Sequence, residues 1–311
     1  MRVLLIYNPT AGEGVRAQLR DLIDIIHDAG HEVRCRSSKD LRIAAALAEP
    51  GDLVAVAGAD GTVVKVARRL RGRKTPITPL PLGTANNIAT ALGLSSASLE
   101  EQIAGWSGGR LIALDVGLAR GSHGSRSFLE SCGAGFIPRL LTLAANSDPP
   151  RLTSSVEERL GSALARRAVR RSPAVEVRAV LDDRDISGRY VLLEAMNFGW
   201  VGPNLDLAAD ADPADGLLDV VLVGESERAL PAGYLEAREE GAPWPHAFPT
   251  LRGRRSRIEH AELGIHVDDK LWPAVASEQG ETLDVSLHES AWFLIPAQDA
   301  IAQPWAIADS L

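Results

Sequence analysis

The chain has 311 residues, 45% hydrophobic and 24% charged, a make-up suited to one large or two ordinary globular domains. Its formal charge of −8 argues against general nucleic-acid binding. No apolar run approaches the roughly 18 residues a membrane span needs, and the first one, Val3 to Tyr7, ends at Asn8-Pro9 without a small-residue cleavage site, so the sequence predicts a cytoplasmic protein.

The first part alternates strand and helix. Val3 to Tyr7 reads as a strand, followed by a turn over 8–14 and a helix to about Ala29, with Gly30 placed as its stop. His31 to Arg36 is a second strand and Leu41 to Ala48 a short helix. Leu53 to Ala57 is a third strand, followed by a glycine turn and an apolar-periodic helix from Val63 to Leu70. Thr78 to Leu82 is extended, and Gly83-Thr84 starts another turn and helix. Such alternation implies a parallel sheet covered by helices, with ligands at the carboxyl ends of its strands. After about Asp115 the pattern changes. Strands are predicted at 175–181, 189–197, 217–223, 256–262, 264–267 and 282–288, with one helix over 154–171, so a mostly antiparallel second domain is expected. The apolar stretch 291–296 is expected to return to the first domain. The predicted division is therefore 1–114 with 291–311, and 115–290.

One short run carries the most chemistry: Gly58-Ala59-Asp60-Gly61-Thr62, between a strand and a helix. Small residues let a polyanion approach the backbone, and the amides opening the helix point at it. An acid inside such a turn would repel phosphate unless a divalent cation lies between them, so the turn suggests nucleotide plus metal. Two further turns follow successive strands, Asn8-Pro9-Thr10-Ala11-Gly12 and Leu82-Gly83-Thr84-Ala85-Asn86-Asn87. Any one is an ordinary turn; three together are not.

With these three turns the chain resembles the diacylglycerol kinase catalytic family, and within it the soluble bacterial lipid kinases. Asp115-Val116-Gly117, Gly133-Ala134-Gly135-Phe136, Asn197-Phe198-Gly199 and the segment Ala211 to Val220 are similar to the family's in the same order. The resemblance implies a phosphofructokinase-like or NAD-kinase-like α/β domain, an antiparallel β-sandwich and an ATP cleft between them. It implies that Gly58, Ala59, Asp60, Gly61 and Thr62 cradle the phosphates, with Asn8, Gly83, Thr84 and Asn86 in the same cleft and Ser37 near the adenosine. Asp60 would act through Mg²⁺. A structural divalent ion would be held by Asp212, Asp215 and the carbonyl of Leu217; an Asp-Gly β-turn without an ion is the other reading of that loop. The acceptor would be a lipid hydroxyl met peripherally at a membrane surface, and a homodimer is left open.

Several polar positions depart from the family. Ala59 replaces a glycine, which is tolerable if its φ is negative or the phosphate lies farther away. Val64 and Lys65 stand for an Asn-Glu pair, and Asn87 for an acid. Lys270 stands where the family's glutamate base would be, in Val267-Asp268-Asp269-Lys270. A cationic lysine accepts no proton. Either Asp268 or Asp269 performs that role, or catalysis is weakened or lost, leaving a nucleotide- or lipid-binding protein on the same scaffold. An NAD kinase-like phosphotransferase is a further alternative. The seven histidines show no metal spacing and read as surface or turn residues, and Cys35 and Cys132 read as small core residues. Two arginine groups, 166, 167, 170, 171 and 252, 254, 255, 257, read as solvated faces or as a surface for anionic headgroups.

Overall fold

The computed structural model describes residues 1–9, 15–83, 85–146, 154–260, 264–272 and 281–297. The chain divides into two compact units, Met1–Val116 with the chain from Glu289 onward, and Gly117–His288.

The first unit runs β1 (Arg2–Tyr7), α1 (Val15–Asp28), β2 (Glu32–Ser37), α2 (Ile43–Ala48), β3 (Leu53–Gly58), α3 (Asp60–Leu70), β4 (Ile77–Pro81), α4 (Asn87–Ala91) and α5 (Leu99–Ala104), then enters β5 (Arg110–Gly121). β1 lies between β2 and β3, β4 follows β3, and all these pairs are parallel. All six residues of β3 are buried, as a parallel strand covered on both faces requires. Val3, Leu5, Ala55 and Leu80 pack with Leu22 and Ile26 of α1, Ile103 of α5 and Trp106. Gly30, at φ +80°, ends α1 as its position predicts.

The second unit continues with β6 (Gly124–Phe128), β7 (Ser131–Gly135), α6 (Phe136–Ala145), α7 (Ser154–Arg171), β8 (Val175–Leu181), β9 (Arg184–Asp185) and β10 (Gly188–Met196). β11 (Trp200–Val201), β12 (Leu205–Asp206), β13 (Leu218–Gly224), α8 (Ala229–Glu240), β14 (Thr250–Gly253), β15 (Arg255–His260), β16 (Ile265–Val267), β17 (Lys270–Leu271) and β18 (Glu281–Ile295) follow. Its pairings are antiparallel throughout: β10 with β7, β8 and β13, β15 with β8 and β18, β16 with β7 and β17. Alternate residues of β10 and β13 serve two cores. Leu193, Ala195, Leu218 and Val220 face the interior of the sandwich. Leu192, Met196, Val221 and Val223 face α6, α7 and α8.

The helix after the glycine turn starts at Asp60, so Asp60-Gly61-Thr62 forms its first turn rather than a loop. Among its described residues the second unit has two α-helices beyond the predicted one, α6 and α8. Pro138 and Pro231 disguise them, although both sit in a first turn, where proline costs no hydrogen bond. The stretches 282–288 and 291–296 are one strand, β18, and its Phe293 pairs with Ile77 of β4. The polar Glu289-Ser290 between them does not break it: Ser290 accepts the amide of Gly72, and Glu289 pairs with Arg71.

Candidate functional site

In the first unit the chain leaves β1 toward β2, then returns to place β3 on the other side of β1. Loops at such a reversal diverge and leave a crevice at the carboxyl ends of the strands, where open α/β sheets bind ligands. Tyr7 is in register with both Ser37 and Ala57, and Gly58 with Pro81, so the ends of the four strands are level. Asn8 follows β1, its amide donating to Ala57 at 3.1 Å. Ser37 ends β2, its hydroxyl accepting the Lys39 amide at 3.1 Å. Gly58 ends β3, and Gly83 follows β4.

Ala59 caps α3 with φ −84° and ψ 173°. Its φ is negative, so the methyl carries no strain of the kind only glycine escapes. The methyl instead fills space vacated by another glycine. A Cβ on Gly83 would lie 2.3 Å from Ala59 Cβ and 2.8 Å from Asn86 Oδ1, closer than side-chain atoms approach. Among the described residues no side chain caps the amino end of α3. The Thr62 amide donates to the Ala59 carbonyl at 2.8 Å, and the positive end of the helix dipole, which favours an anion, carries no side-chain cap.

Asp60 has a role that its sequence context did not reveal. Its carboxylate accepts the amides of Asn87 at 2.9 Å and Ile88 at 3.0 Å, so it caps α4 across the crevice. The usual capping residue, Asn86, is diverted. It is left-handed (φ 53°, ψ 40°) and clasps Gly83, accepting its amide at 3.0 Å and donating to its carbonyl at 2.7 Å. The turns after β3 and β4 are therefore one bonded assembly. Thr62 is buried beneath it and Gly61 exposed above; Thr84 lies outside the described residues. The substituted positions are structural here. Val64 is core, Asn87 is buried, and the Lys65 ammonium donates to the carbonyl of Ser38, tying α3 to the loop after β2.

In the second unit the run 267–270 forms the β16–β17 hairpin. Asp268 is left-handed (φ 52°) and only 4% exposed. Its Oδ1 accepts the amides of Leu129 at 3.2 Å and Glu130 at 2.9 Å, and its own amide donates to Ser131 at 2.9 Å. It anchors the hairpin to the start of β7 rather than facing solvent. Asp269 and Lys270 are exposed and paired with each other at 2.7 Å, an arrangement of small energetic consequence.

His266 is fully buried, against the sequence expectation of a surface or turn position. Its Nε2 lies 2.7 Å from Oε1 of Glu194, which is also fully buried, and its Nδ1–H donates to the Asp268 carbonyl at 2.7 Å. Burial opposes charging the imidazole, but the Glu194 charge and these hydrogen bonds outweigh it and raise its pKa above the ordinary value. A Cβ on Gly133 would lie 2.2 Å from Glu194 Oε2, so only glycine leaves room for the carboxylate. A glutamate inside the apolar run of β10 is a sequence signal for such a partner. Cys132 lies alongside; burial, then the charges of Glu194 and Asp268, push its thiol well up, which keeps it unreactive. Cys35 is half-buried, and burial raises its thiol too.

The loop expected to hold a structural ion is closed on itself. Asp212 Oδ1 accepts the Ala214 amide and Asp215 Oδ1 the Leu217 amide, each at 2.9 Å, and Gly216 takes φ +77°. The other Asp215 oxygen is ion-paired with Arg252. Among the described residues no group of three or more His, Cys, Asp or Glu is arranged to hold a metal. As arranged, Asp212, Asp215 and Leu217 do not fit an ion, because a guanidinium already supplies the positive charge. Asp60 has the chemistry for one: it is a half-buried carboxylate at the crevice, and Mg²⁺ beside phosphates needs only one or two protein carboxylates.

Residues 2–119 match the model of the diacylglycerol kinase catalytic domain. Residues 157–280 match that of the YegS C-terminal NAD kinase beta sandwich-like domain. The chain is 25% identical to a diacylglycerol kinase of Bacillus subtilis (strain 168), covering 96% of this chain and 98% of that one. It is 26% identical to a diacylglycerol kinase of Mycobacterium tuberculosis (strain ATCC 25618 / H37Rv), over 86% and 88%. A probable lipid kinase YegS-like protein of Klebsiella pneumoniae (strain 342) is 30% identical over 45% of this chain and 47% of its own. Among solved structures, a diacylglycerol kinase from Bacillus anthracis str. Sterne has the same fold, with TM-score 0.67 and 17% identity over 97% of this chain and 98% of that one.

Proposed function

We propose that this chain, whose residues 2–119 belong to the diacylglycerol kinase catalytic domain family and whose residues 157–280 belong to the YegS C-terminal family, transfers a phosphoryl group from ATP to a lipid hydroxyl. The observation that carries this reading is the uncapped amino end of α3 at the sheet's reversal point, fixed to the turn after β4 through Asp60. The α3 amides and the Gly58–Thr62 backbone would bind the phosphates, and Asn8, Ser37, Gly83 and Asn86 border the same crevice. Asp60 would hold Mg²⁺, which would neutralise charge on the transferring group.

The deprotonation step differs from what the resemblance implies. Asp268 is buried with both carboxylate oxygens directed to backbone amides, so it serves as a positioning residue for the hairpin. Asp269 is engaged by Lys270. Phosphoryl transfer has a loose transition state governed by positioning and charge, so it proceeds without a dedicated base, more slowly. Among the described residues no helix is long and apolar enough to cross a membrane. The lipid would be met at a surface, with exposed Arg167, Arg170 and Arg171 facing anionic headgroups.

The burial of Asp268 and the Lys270–Asp269 pair also favour a second reading, a nucleotide-binding protein without catalysis. A transfer assay with labelled ATP, Mg²⁺ and a lipid panel in detergent micelles, with NAD added as a further acceptor, separates the two. Slow lipid phosphorylation by the wild type, accelerated in Lys270→Glu, is the expected result. Nucleotide binding with no product from either protein would establish the non-catalytic reading. Phosphorylation of NAD alone would overturn the lipid acceptor.

A further inference from the structure

The second unit contains a cavity of about 800 Å³ that the kinase reading does not use. It lies between the segment 206–210, α8 and the segment 241–252, and its size is that of a pocket for a small organic molecule. One wall is aromatic. Tyr234 packs edge-on against both Trp244 (centroids 5.9 Å) and Phe248 (5.5 Å). The opposite character comes from three carboxylates, Asp206, Asp210 and Asp219.

Two of those carboxylates are incompletely satisfied. Asp219 is 3% exposed; its Oδ1 is 3.4 Å from Arg252, while its buried Oδ2 has no hydrogen-bond donor among the described residues. Asp206 Oδ1 is buried and likewise lacks a donor, and the buried indole N–H of Trp244 lacks an acceptor among the described residues. Burial, then the charges of Asp210 and Asp212, raises Asp219 to about 6; burial, then Asp210, raises Asp206. The nearby arginines leave both of these oxygens without a donor among the described residues. The basic lining residues are otherwise occupied: Arg252 bridges Asp215 and Asp219, Arg238 donates to the carbonyl of Asn204, and His246 lies edge-on to Trp244.

We infer that this cavity binds a small organic cation, a protonated amine carried on an apolar body. The ammonium would donate to Asp219 Oδ2 and Asp206 Oδ1, and the body would lie against Trp244, Tyr234 and Phe248, where ring faces also favour positive charge. A bare metal ion fits less well, because no three acidic or histidine side chains converge on one point among the described residues and much of the lining is apolar. The inference stands independently of the kinase reading.

The test titrates benzylammonium chloride into the full chain, with benzyl alcohol as the neutral analogue and Mg²⁺ as the competing cation. The readout is the indole N–H resonance of Trp244, assigned by its loss in Trp244→Phe. Benzylammonium is expected to shift that resonance saturably at pH 7, about tenfold more tightly than benzyl alcohol, given the strength of a charge-assisted hydrogen bond. Asp219→Asn and Asp206→Asn should each remove most of the difference between the two probes while leaving benzyl alcohol unchanged, which also reports that the pocket is intact. Equal affinity for both probes, no saturable shift, or a shift produced by Mg²⁺ alone would overturn the inference.

Discussion

Asp60 and Asp268 make the same kind of contact and end in opposite circumstances. Each carboxylate accepts two consecutive backbone amides from a distant segment, Asn87 and Ile88 for Asp60, Leu129 and Glu130 for Asp268. Asp60 opens a helix at a crevice and is half-buried, whereas Asp268 sits inside a hairpin at 4% exposure. The backbone bonds position both groups, and they differ in their access to solvent. Under the proposed function the chemistry falls to the first acid, while the second supports the hairpin.

The largest expected effect breaks the comparison on the Asp60 side. Asp60→Ala removes the carboxylate proposed to hold the ion together with the α4 cap, so phosphoryl transfer should fall by roughly 100-fold or more. The fold should lose only about 1 kcal/mol, the worth of a helix cap. A transfer assay beside a denaturant titration separates the two.

On the Asp268 side the support should prove structural. His266→Ala strands Glu194 as an unpaired buried charge and should cost about 3–5 kcal/mol in denaturant unfolding. The pair also has a pH signature. The folded pKa of His266 is raised, so its stabilisation is fully present below the ordinary histidine value of about 6.5 and is lost as pH rises through the folded value. Glu194→Gln should flatten that dependence of unfolding free energy on pH.

A smaller effect sharpens the account of the crevice. Gly83→Ala places a methyl 2.3 Å from that of Ala59, an overpacking worth about 1–3 kcal/mol, and Ala59→Gly should restore part of it in a double-mutant cycle. Smallest of all, Lys270→Ala should change stability by less than about 0.5 kcal/mol, since the pair it breaks is exposed.

The α/β alternation was legible because β1 and β3 hold uninterrupted apolar runs, Val3 to Tyr7 and Leu53 to Ala57, the first stopped at Asn8-Pro9 and the second at Gly58. The glycine turns were legible because small residues recur at successive strand ends. The capping role of Asp60 was not, because it depends on two turns that are adjacent in the sheet and 27 residues apart in the chain. The burial of Asp268 and His266 was equally hidden: the segment Ile265 to Leu271 is too short for its pattern to show which face is covered. The Asp215–Arg252 pair joins residues 37 apart, and no spacing announces it. Local pattern sets the elements; contacts between elements decide which acids are buried.

The most direct test of the central claim is a calorimetric titration of ATP with Mg²⁺ into the wild type and Asp60→Asn. Asparagine keeps the size of the side chain and can still accept an amide, but it carries no charge for the ion. Saturable binding by the wild type and at least about tenfold weaker binding by the variant are expected, with the difference vanishing when Mg²⁺ is withheld. Equal affinity of the two proteins in the presence of Mg²⁺ would contradict it.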